Sequence, residues 1–157
     1  MREPTRRRRA RHGATRSLYL DASCLLRVLF GEDGIRAPLG RHVTAASSKL
    51  VEVECFRTLD RARLQGFLDD METARKNHEL ARIIDRLHLV PISDEVIASA
   101  RATFPVSVRA LDAIHVATAQ WLAGRVGELE FWTHDERQAT AALARGLDVH
   151  GTVRPAP

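Results

Sequence analysis

Short apolar runs alternate along this chain with stretches in which apolar residues recur at helical spacing. The runs at 18–20, 43–46, 89–92, 129–133 and 147–150 have the length and composition of buried strands. A helical stretch lies between each run and the next, an order typical of parallel strands with helices packed on both faces of the sheet. We therefore predict an α/β protein, a three-layer α/β/α sandwich around a central, mostly parallel sheet.

Local end signals define several of the helices. The helix Ala22–Phe30 should end at Gly31, and the helix Glu136–Ala144 should end at Gly146, because glycine adopts the left-handed conformation that terminates helices. Ser47 or Ser48 should cap a long helix that runs to about Leu64, since a serine hydroxyl accepts from the free amides of a first turn. Further helices are predicted over 69–87, from Ser93 to before Pro105, and over 111–122, where apolar residues on all sides indicate a buried helix.

The formal charge of +4 is distributed unevenly over the 157 residues. Residues 1–16 carry seven arginines against Glu3, a net charge of +6, whereas residues 17–157 hold 17 basic and 19 acidic side chains. We predict a basic, disordered tail over residues 1–16 and a single domain over residues 17–157. The tail is either dispensable or an RNA-binding arm, and the sequence leaves both readings open.

The apolar pattern and the cysteines bear on where the protein works. No apolar stretch approaches the roughly 18 residues that a membrane span needs. The two cysteines, Cys24 and Cys55, fit no metal-ligand spacing and are expected as reduced, buried thiols. A cytoplasmic protein without a membrane segment is the expectation.

Four acidic residues fall at strand ends or on helices: Asp21 after the first strand, Glu54 and Asp112 on helices, and Asp135 just past the fourth strand. In an open parallel sheet, the crevice beyond the carboxyl ends of the strands is where ligands bind, so these acids should converge there. Two carboxylates about 5 Å apart repel by roughly 3 kcal/mol at an effective dielectric near 20. A cluster of oxygen ligands therefore predicts a bound Mg²⁺ or Mn²⁺, and metal-assisted phosphodiester hydrolysis as the first chemistry to consider.

Four segments carry a resemblance to a known family: 19–23 (YLDAS), 50–59 (LVEVECFRTL), 111–119 (LDAIHVATA) and 133–137 (THDER). In this order they resemble a PIN-domain ribonuclease, and more narrowly a VapC-type toxin of a toxin–antitoxin pair. The resemblance covers roughly residues 18–151. It implies a PIN-like sandwich, catalysis by Asp21, Glu54, Asp112 and Asp135 around Mg²⁺ or Mn²⁺, cleavage of structured RNA, and inhibition by a cognate antitoxin protein.

Helix geometry and the family pattern together choose between two neighbouring glutamates. Glu52 and Glu54 lie about 200° apart around a helix, so only one can face the site. The family pattern fits Leu50, Glu54 and Arg57, which makes Glu54 the site acid and Glu52 a solvated or salt-bridged residue.

Other polar residues near these segments have two possible roles each. Ser23 and Thr133 are either supports for the acids or simple helix and turn residues, and Arg109 and Arg57 either hold a phosphate or pair with carboxylates. Asp21 and Asp135 could be only helix N-caps, although four motifs in order favour the metal role. His115 is expected as a packed, hydrogen-bonded core residue rather than a ligand.

Partner surfaces follow partly from charge and partly from the resemblance. Phe30, Phe56 and Phe67 on the early helices are candidates for the antitoxin surface, although such residues more often belong to a core. A slightly acidic domain needs extra basic surface to hold RNA, and a homodimer would supply it by pooling arginines.

The alternatives differ in chemistry. A catalytically inactive PIN-like module that binds RNA or protein is the main one. A phosphatase or receiver domain also uses an acidic pocket but needs a late lysine, and no lysine follows Lys76.

Overall fold

The alternating strands and helices assemble into one parallel sheet in the computed structural model, which describes residues 15–152. All four strand pairings are parallel, and the strand order is β3-β2-β1-β4-β5. The strands are β1 (Arg16–Leu20), β2 (Val43–Ser48), β3 (His88–Val90), β4 (Glu130–Trp132) and β5 (Asp148–His150). The chain winds outward from β1 in both directions, so the strand order reverses between β1 and β4. That position is where open α/β sheets bind ligands.

Six helices cover the two faces of the sheet: α1 (Ala22–Phe30), α2 (Leu50–Leu64), α3 (Asp70–Ile84), α4 (Asp94–Ala100), α5 (Ala110–Val126) and α6 (Glu136–Ala144). One core cluster joins α1, α2 and α3 to Leu18, Leu20 and Trp132. The other joins α5 and α6 to Tyr19 and Phe131 on the opposite face. Successive strand residues thus point into different cores, as the period of two requires. The predicted three-layer sandwich is confirmed.

Helix ends with a strong local signal lie where the sequence predicts them. Gly31 is the C-cap of α1 and takes the left-handed conformation with a φ of 68°. Gly146 lies just after α6 and has a φ of 81°. Ser93 caps α4 by accepting from the Val96 amide at 3.3 Å. The helix predicted over 69–87 is shorter, because Asp69 is its capping-box residue and its helical bonds end near Asp85.

The predicted cap of α2 is partly confirmed. Ser47 and Ser48 belong to β2, which pairs with β1 and β3, and the N-cap residue is Lys49, which makes no side-chain cap bond. The Ser48 hydroxyl nevertheless accepts from the amide of Leu50, the first residue of α2, at 3.3 Å. The Ser47 hydroxyl instead donates to the Leu20 carbonyl at 2.6 Å inside the sheet. The next strand, predicted over 89–92, ends at Val90 because Pro91 has no amide proton to continue the ladder.

The boundary predicted between tail and domain passes through a strand. Arg16 is the first residue of β1, and its guanidinium holds the Glu130 carboxylate through two bonds of 2.8 and 2.7 Å. The rest of the predicted tail, residues 1–14, lies outside the described residues. Within the part described, no helix combines the length and apolarity needed to cross a membrane. Cys24 and Cys55 are free and buried, as predicted, and burial raises the pKa of the Cys55 thiol to about 12.

Candidate active site

Asp21 lies at the end of β1, in the crevice between β1 and β4. It is 5% exposed and serves as the N-cap of α1, with its Oδ1 atom accepting from the Cys24 amide at 3.2 Å. Two hydroxyl groups complete its surroundings: Ser23 donates to Oδ1 at 2.6 Å, and Thr133 donates to Oδ2 at 3.0 Å. Ser23 and Thr133, which we predicted as supports for the acids, thus both contact Asp21.

The direction of these two hydroxyl bonds is fixed by the backbone beyond β4. The Ser23 oxygen accepts from the His134 amide at 2.8 Å, and the Thr133 oxygen accepts from the Asp135 amide at 3.0 Å. Because each oxygen already accepts an N–H, each hydroxyl proton is free to donate to Asp21. Burial raises the pKa of Asp21, and these bonds, together with the nearby His115 ring, oppose the rise. The three donors thus stabilise the ionised carboxylate in a buried position.

Strand β5 holds the segment that supplies these amides. The Thr133 amide donates to the His150 carbonyl at 3.1 Å, and the His134 Nδ1 atom lies 2.8 Å from the Gly151 carbonyl oxygen. Gly151 has a φ of 97°, and a Cβ atom there would lie 2.5 Å from the Thr133 carbonyl oxygen. Only glycine allows this close approach. The end of β5 therefore fixes the loop that orients Asp21.

Glu54 and Glu52 face different surroundings, as the 200° spacing predicts. The Glu54 Oε2 atom lies 2.6 Å from Nε2 of His115, whose side chain is 1% exposed. Glu52 pairs instead with Lys49 at 2.7 Å on the outer side of α2. The prediction of His115 as a packed, hydrogen-bonded core residue is confirmed, because its Nδ1 atom also lies 2.7 Å from the Tyr19 hydroxyl.

Asp112 lies in the first turn of α5, within electrostatic reach of the other acids. Burial raises its pKa, the charges of Asp135 and Glu54 raise it further, and Arg109 at the start of the helix opposes them. A carboxylate raises the pKa of another only when the two lie near each other. The charges of Asp135 and Glu54 therefore act on Asp112, and the convergence of all four acids stays a prediction.

Asp135 combines a structural contact with a free oxygen. Its Oδ1 atom caps α6 by accepting from the Arg137 amide at 2.8 Å and the Gln138 amide at 3.0 Å. Its Oδ2 atom has no hydrogen-bond partner among residues 15–152. The capping role and a role toward a ligand are therefore compatible in one side chain.

The two arginines differ in their surroundings. Arg57 pairs with Asp60 at 2.8 Å and its side chain is 69% exposed, which agrees with a structural pairing on α2. Arg109 is the exposed N-cap residue of α5 and acts on Asp112 through its charge. Arg109 is thus the better placed of the two to meet an anion at the acids.

Among residues 15–152, no three His, Cys, Asp or Glu side chains already stand in positions from which they could hold a metal ion together. Mg²⁺ commonly binds through one or two carboxylates and completes its shell with water and substrate phosphate. The donors here are carboxylate oxygens, and burial together with the charge of Asp135 raises the pKa of Asp112, an effect that a divalent cation would oppose. The residues present therefore fit Mg²⁺ or Mn²⁺.

Tyr19 was not among the predicted site residues, although it connects the core to Glu54 through His115. Tyr19 is the only tyrosine of the chain and lies in a strand with an apolar face on both sides. A buried tyrosine hydroxyl requires a hydrogen-bond partner. That requirement was a usable signal, but the identity of the partner depends on a helix 96 residues away.

Known proteins resemble this chain over most of its length. The family model described as "PIN domain" matches residues 18–143. Ribonuclease VapC46 of Mycobacterium tuberculosis is 34% identical over 136 residues, covering 85% of this chain and 95% of the relative. Ribonuclease VapC47 of the same species is 30% identical over 127 residues, covering 76% of this chain and 85% of the relative.

Solved structures share the fold at low sequence identity. FitAcB from Neisseria gonorrhoeae superposes with a TM-score of 0.63 at 15% identity, covering 84% of this chain and 95% of that one. VapBC2 from Rickettsia felis, solved with a DNA fragment from its promoter, superposes with a TM-score of 0.60 at 11% identity. The match covers 86% of this chain and 98% of that one.

Proposed function

Because the chain belongs to the PIN-domain family, we propose that it is an endoribonuclease that acts as the toxin of a toxin–antitoxin pair. The observation that carries the proposal is the set of carboxylates near the strand-order reversal, where Asp21 accepts three hydrogen bonds and Asp112 lies within reach of the charges of Asp135 and Glu54. Two ribonucleases similar over most of the chain support it. The reaction is hydrolysis of a phosphodiester bond in structured RNA.

We propose that Asp21, Glu54, Asp112 and Asp135 hold Mg²⁺ or Mn²⁺. A bound divalent cation would polarise the phosphodiester and lower the pKa of a water. Asp21 supplies a rigid carboxylate, because Ser23 and Thr133 fix its rotamer. Asp135 offers its free Oδ2 atom, and Arg109 provides a positive charge beside the cluster for the scissile phosphate.

Product analysis tests the reaction. Purified protein is incubated with a structured RNA and increasing Mg²⁺ or Mn²⁺, and the new ends are identified. Hydrolysis by water should leave a 5′-phosphate and a 3′-hydroxyl, and a chelator should stop the reaction. Ends bearing 2′,3′-cyclic phosphate would refute the hydrolytic route, and RNA binding without cleavage at any metal concentration would instead indicate an inactive PIN-like module.

The antitoxin partner is proposed to bind along α1 and α2. A cavity of about 500 Å³ borders α1 and is lined by apolar side chains including Leu25 and Val28, together with Arg27, Arg36 and Arg86. Phe56 on α2 is 36% exposed and Phe67 just beyond it is 76% exposed. Phe30 is instead partly buried against the core and lies under the Lys76 ammonium group. An amphipathic segment with acidic and apolar residues suits this surface, and we place the protein in the cytoplasm with such a partner.

A homodimer is proposed as the form that holds RNA. Residues 17–157 carry more acidic than basic side chains, so one subunit alone offers little net attraction to a polyanion. Two subunits around a common groove would pool arginines. Light scattering after size exclusion tests this, because a strict monomer with full activity at micromolar concentration would contradict it.

A further inference from the structure

The contacts of Tyr19 and His115 form a chain of hydrogen bonds from the middle of the sheet to Glu54. Tyr19 is fully buried between Phe131, on which its ring stacks at 5.3 Å, and α5. Its hydroxyl oxygen accepts from the Ser48 amide at 3.1 Å and lies 2.7 Å from Nδ1 of His115. The opposite nitrogen of the same ring, Nε2, lies 2.6 Å from Glu54. His115 is thus held on both sides.

The hydrogen-bonding capacity of each group assigns the proton positions. Glu54 is an acceptor when ionised, so the short contact requires a proton on Nε2 of His115. The Tyr19 oxygen already accepts from a backbone amide, so its own proton is available to Nδ1. The neighbouring Thr118 hydroxyl donates to the Ile114 carbonyl at 2.7 Å and does not need the tyrosine as an acceptor. A proton on Nε2 of His115 therefore accounts for the contact with Glu54.

This arrangement leaves Glu54 with one oxygen fixed and one free. Oε2 is engaged by His115, and Oε1 has no hydrogen bond to any of residues 15–152. An α-helical glutamate with three side-chain torsions is otherwise mobile, and fixing it costs entropy. In metalloproteins, partners of this kind orient ligating groups, and removing one typically costs metal affinity or activity about 10- to 100-fold.

We infer that His115, anchored by Tyr19, is a positioning residue that presents the Glu54 carboxylate to the active site. The inference deepens the proposed function and depends on it, since it assigns a purpose to a contact of one of the four acids. His115 contacts neither substrate nor metal in this scheme and acts only through Glu54.

Two substitutions of similar size separate positioning from packing. His115→Gln places an amide nitrogen near the position of Nε2 and keeps a donor for Glu54. His115→Asn places its amide near the position of Nδ1, so it keeps a hydrogen-bond partner for Tyr19 but loses the hydrogen bond to Glu54. We expect His115→Asn to weaken Mn²⁺ binding, measured by electron paramagnetic resonance with Mn²⁺ alone, about 10- to 100-fold, with His115→Gln within about threefold of the wild type. Tyr19→Phe, which retains the stacking on Phe131, should lose about fivefold.

Val116→Ala is the control for general destabilisation, because Val116 is fully buried on the same helix and packs in the core cluster that contains Tyr19, but its side chain can make no hydrogen bond to Glu54. It should lower the melting temperature without changing Mn²⁺ affinity. Equal losses in the Gln and Asn variants, or a loss in Val116→Ala as large as in His115→Asn, would overturn the inference.

Nitrogen-15 NMR of the metal-free protein gives a readout independent of activity. The His115 signals, assigned by their absence in His115→Gln, should show a protonated Nε2. A wild-type ring without a proton on Nε2 would overturn the inference even if cleavage were normal. A wild-type protein that neither binds Mn²⁺ nor cleaves RNA would refute the proposed function instead. The NMR result would still show whether His115 donates a hydrogen bond to Glu54.

Discussion

Glu54 and Glu52 form an internal matched pair for testing the site, because they share one helix, one side-chain type and nearly the same contact length. The His115–Glu54 contact is 2.6 Å with side chains 1% and 19% exposed, and the Lys49–Glu52 contact is 2.7 Å with side chains 55% and 32% exposed. The perturbation is Glu54→Gln or Glu52→Gln, which removes one charge and leaves size almost unchanged. The two glutamates differ only in how deeply they are buried and in which face of α2 they occupy.

The expected magnitudes differ widely. Two unit charges about 4 Å apart attract by about 4 kcal/mol at an effective dielectric near 20, so losing the charge of Glu54 beside a divalent cation should reduce cleavage at least about a thousandfold. In Glu54→Gln, the amide oxygen can still accept from His115, so the loss reports the charge rather than a broken contact. An exposed i,i+3 pair such as Lys49–Glu52 contributes at most about 0.5 kcal/mol, so Glu52→Gln should keep activity within about twofold.

The assay is cleavage of a structured RNA under single-turnover conditions across a titration of Mg²⁺ or Mn²⁺, with thermal melting of each variant in parallel. Raising the metal concentration should partly restore Glu54→Gln if the lost charge binds metal. Equal losses from the two variants would refute the assignment of helix faces to function. A large loss in Glu54→Gln accompanied by unfolding would refute the electrostatic explanation, which requires an intact fold.

Three further predictions concern stability, RNA affinity and the partner. Burial and the charge of Asp135 raise the pKa of Asp112, so the folded chain binds that proton more tightly than the unfolded chain, and its ionisation lowers stability as the pH rises above the ordinary value of 3.8. Asp112→Asn should therefore abolish cleavage yet raise the melting temperature at pH 7, with the gain fading toward pH 4; a lower melting temperature at pH 7 would contradict this. Deleting residues 1–14, which spares the Arg16–Glu130 pair, should flatten the salt dependence of RNA binding by roughly 0.7 per lost phosphate contact, and an unchanged slope would show the tail to be idle. Phe56→Ser should weaken capture of the cognate antitoxin in a pull-down while sparing cleavage, and undiminished capture would place the partner elsewhere.

The parts of the fold that the sequence predicts are those decided by neighbouring residues. Gly31 ends α1 because glycine tolerates a positive φ, a property visible without any tertiary information. Ser48 accepts from the Leu50 amide as a capping serine does, but pairing of β2 with strands on both sides leaves Ser47 inside the sheet and the N-cap position at Lys49. Tertiary hydrogen bonding therefore decided a position that local rules assigned differently.

The site shows the same division. Strand ends and helix spacing predicted the separation of Glu54 from Glu52, which depends only on the geometry of one helix. The link from Tyr19 to His115 depends on how α5 packs against β1, and the bond from the His134 amide to the Ser23 hydroxyl depends on a loop fixed by Gly151. Such contacts join residues about a hundred positions apart, and no local pattern encodes them.

The helix-cap and active-site readings of Asp21 and Asp135 need not compete, because a carboxylate has two oxygens. In Asp135, Oδ1 accepts the amides of the first turn of α6 and Oδ2 is unengaged. In Asp21, Oδ1 accepts a hydrogen bond from the Cys24 amide, and Oδ2 accepts one from the Thr133 hydroxyl. A neutral amide keeps one oxygen for the cap and loses the charge. Substitution of Asp135 by asparagine should therefore preserve the start of α6 while removing the negative charge that acts on Asp112. Substitution by alanine should remove that charge and also the cap, at a cost of about 1 kcal/mol in stability. A helix start at this position orients the acid before any ligand arrives, and that preorganisation explains why acids at strand ends serve both the fold and the chemistry.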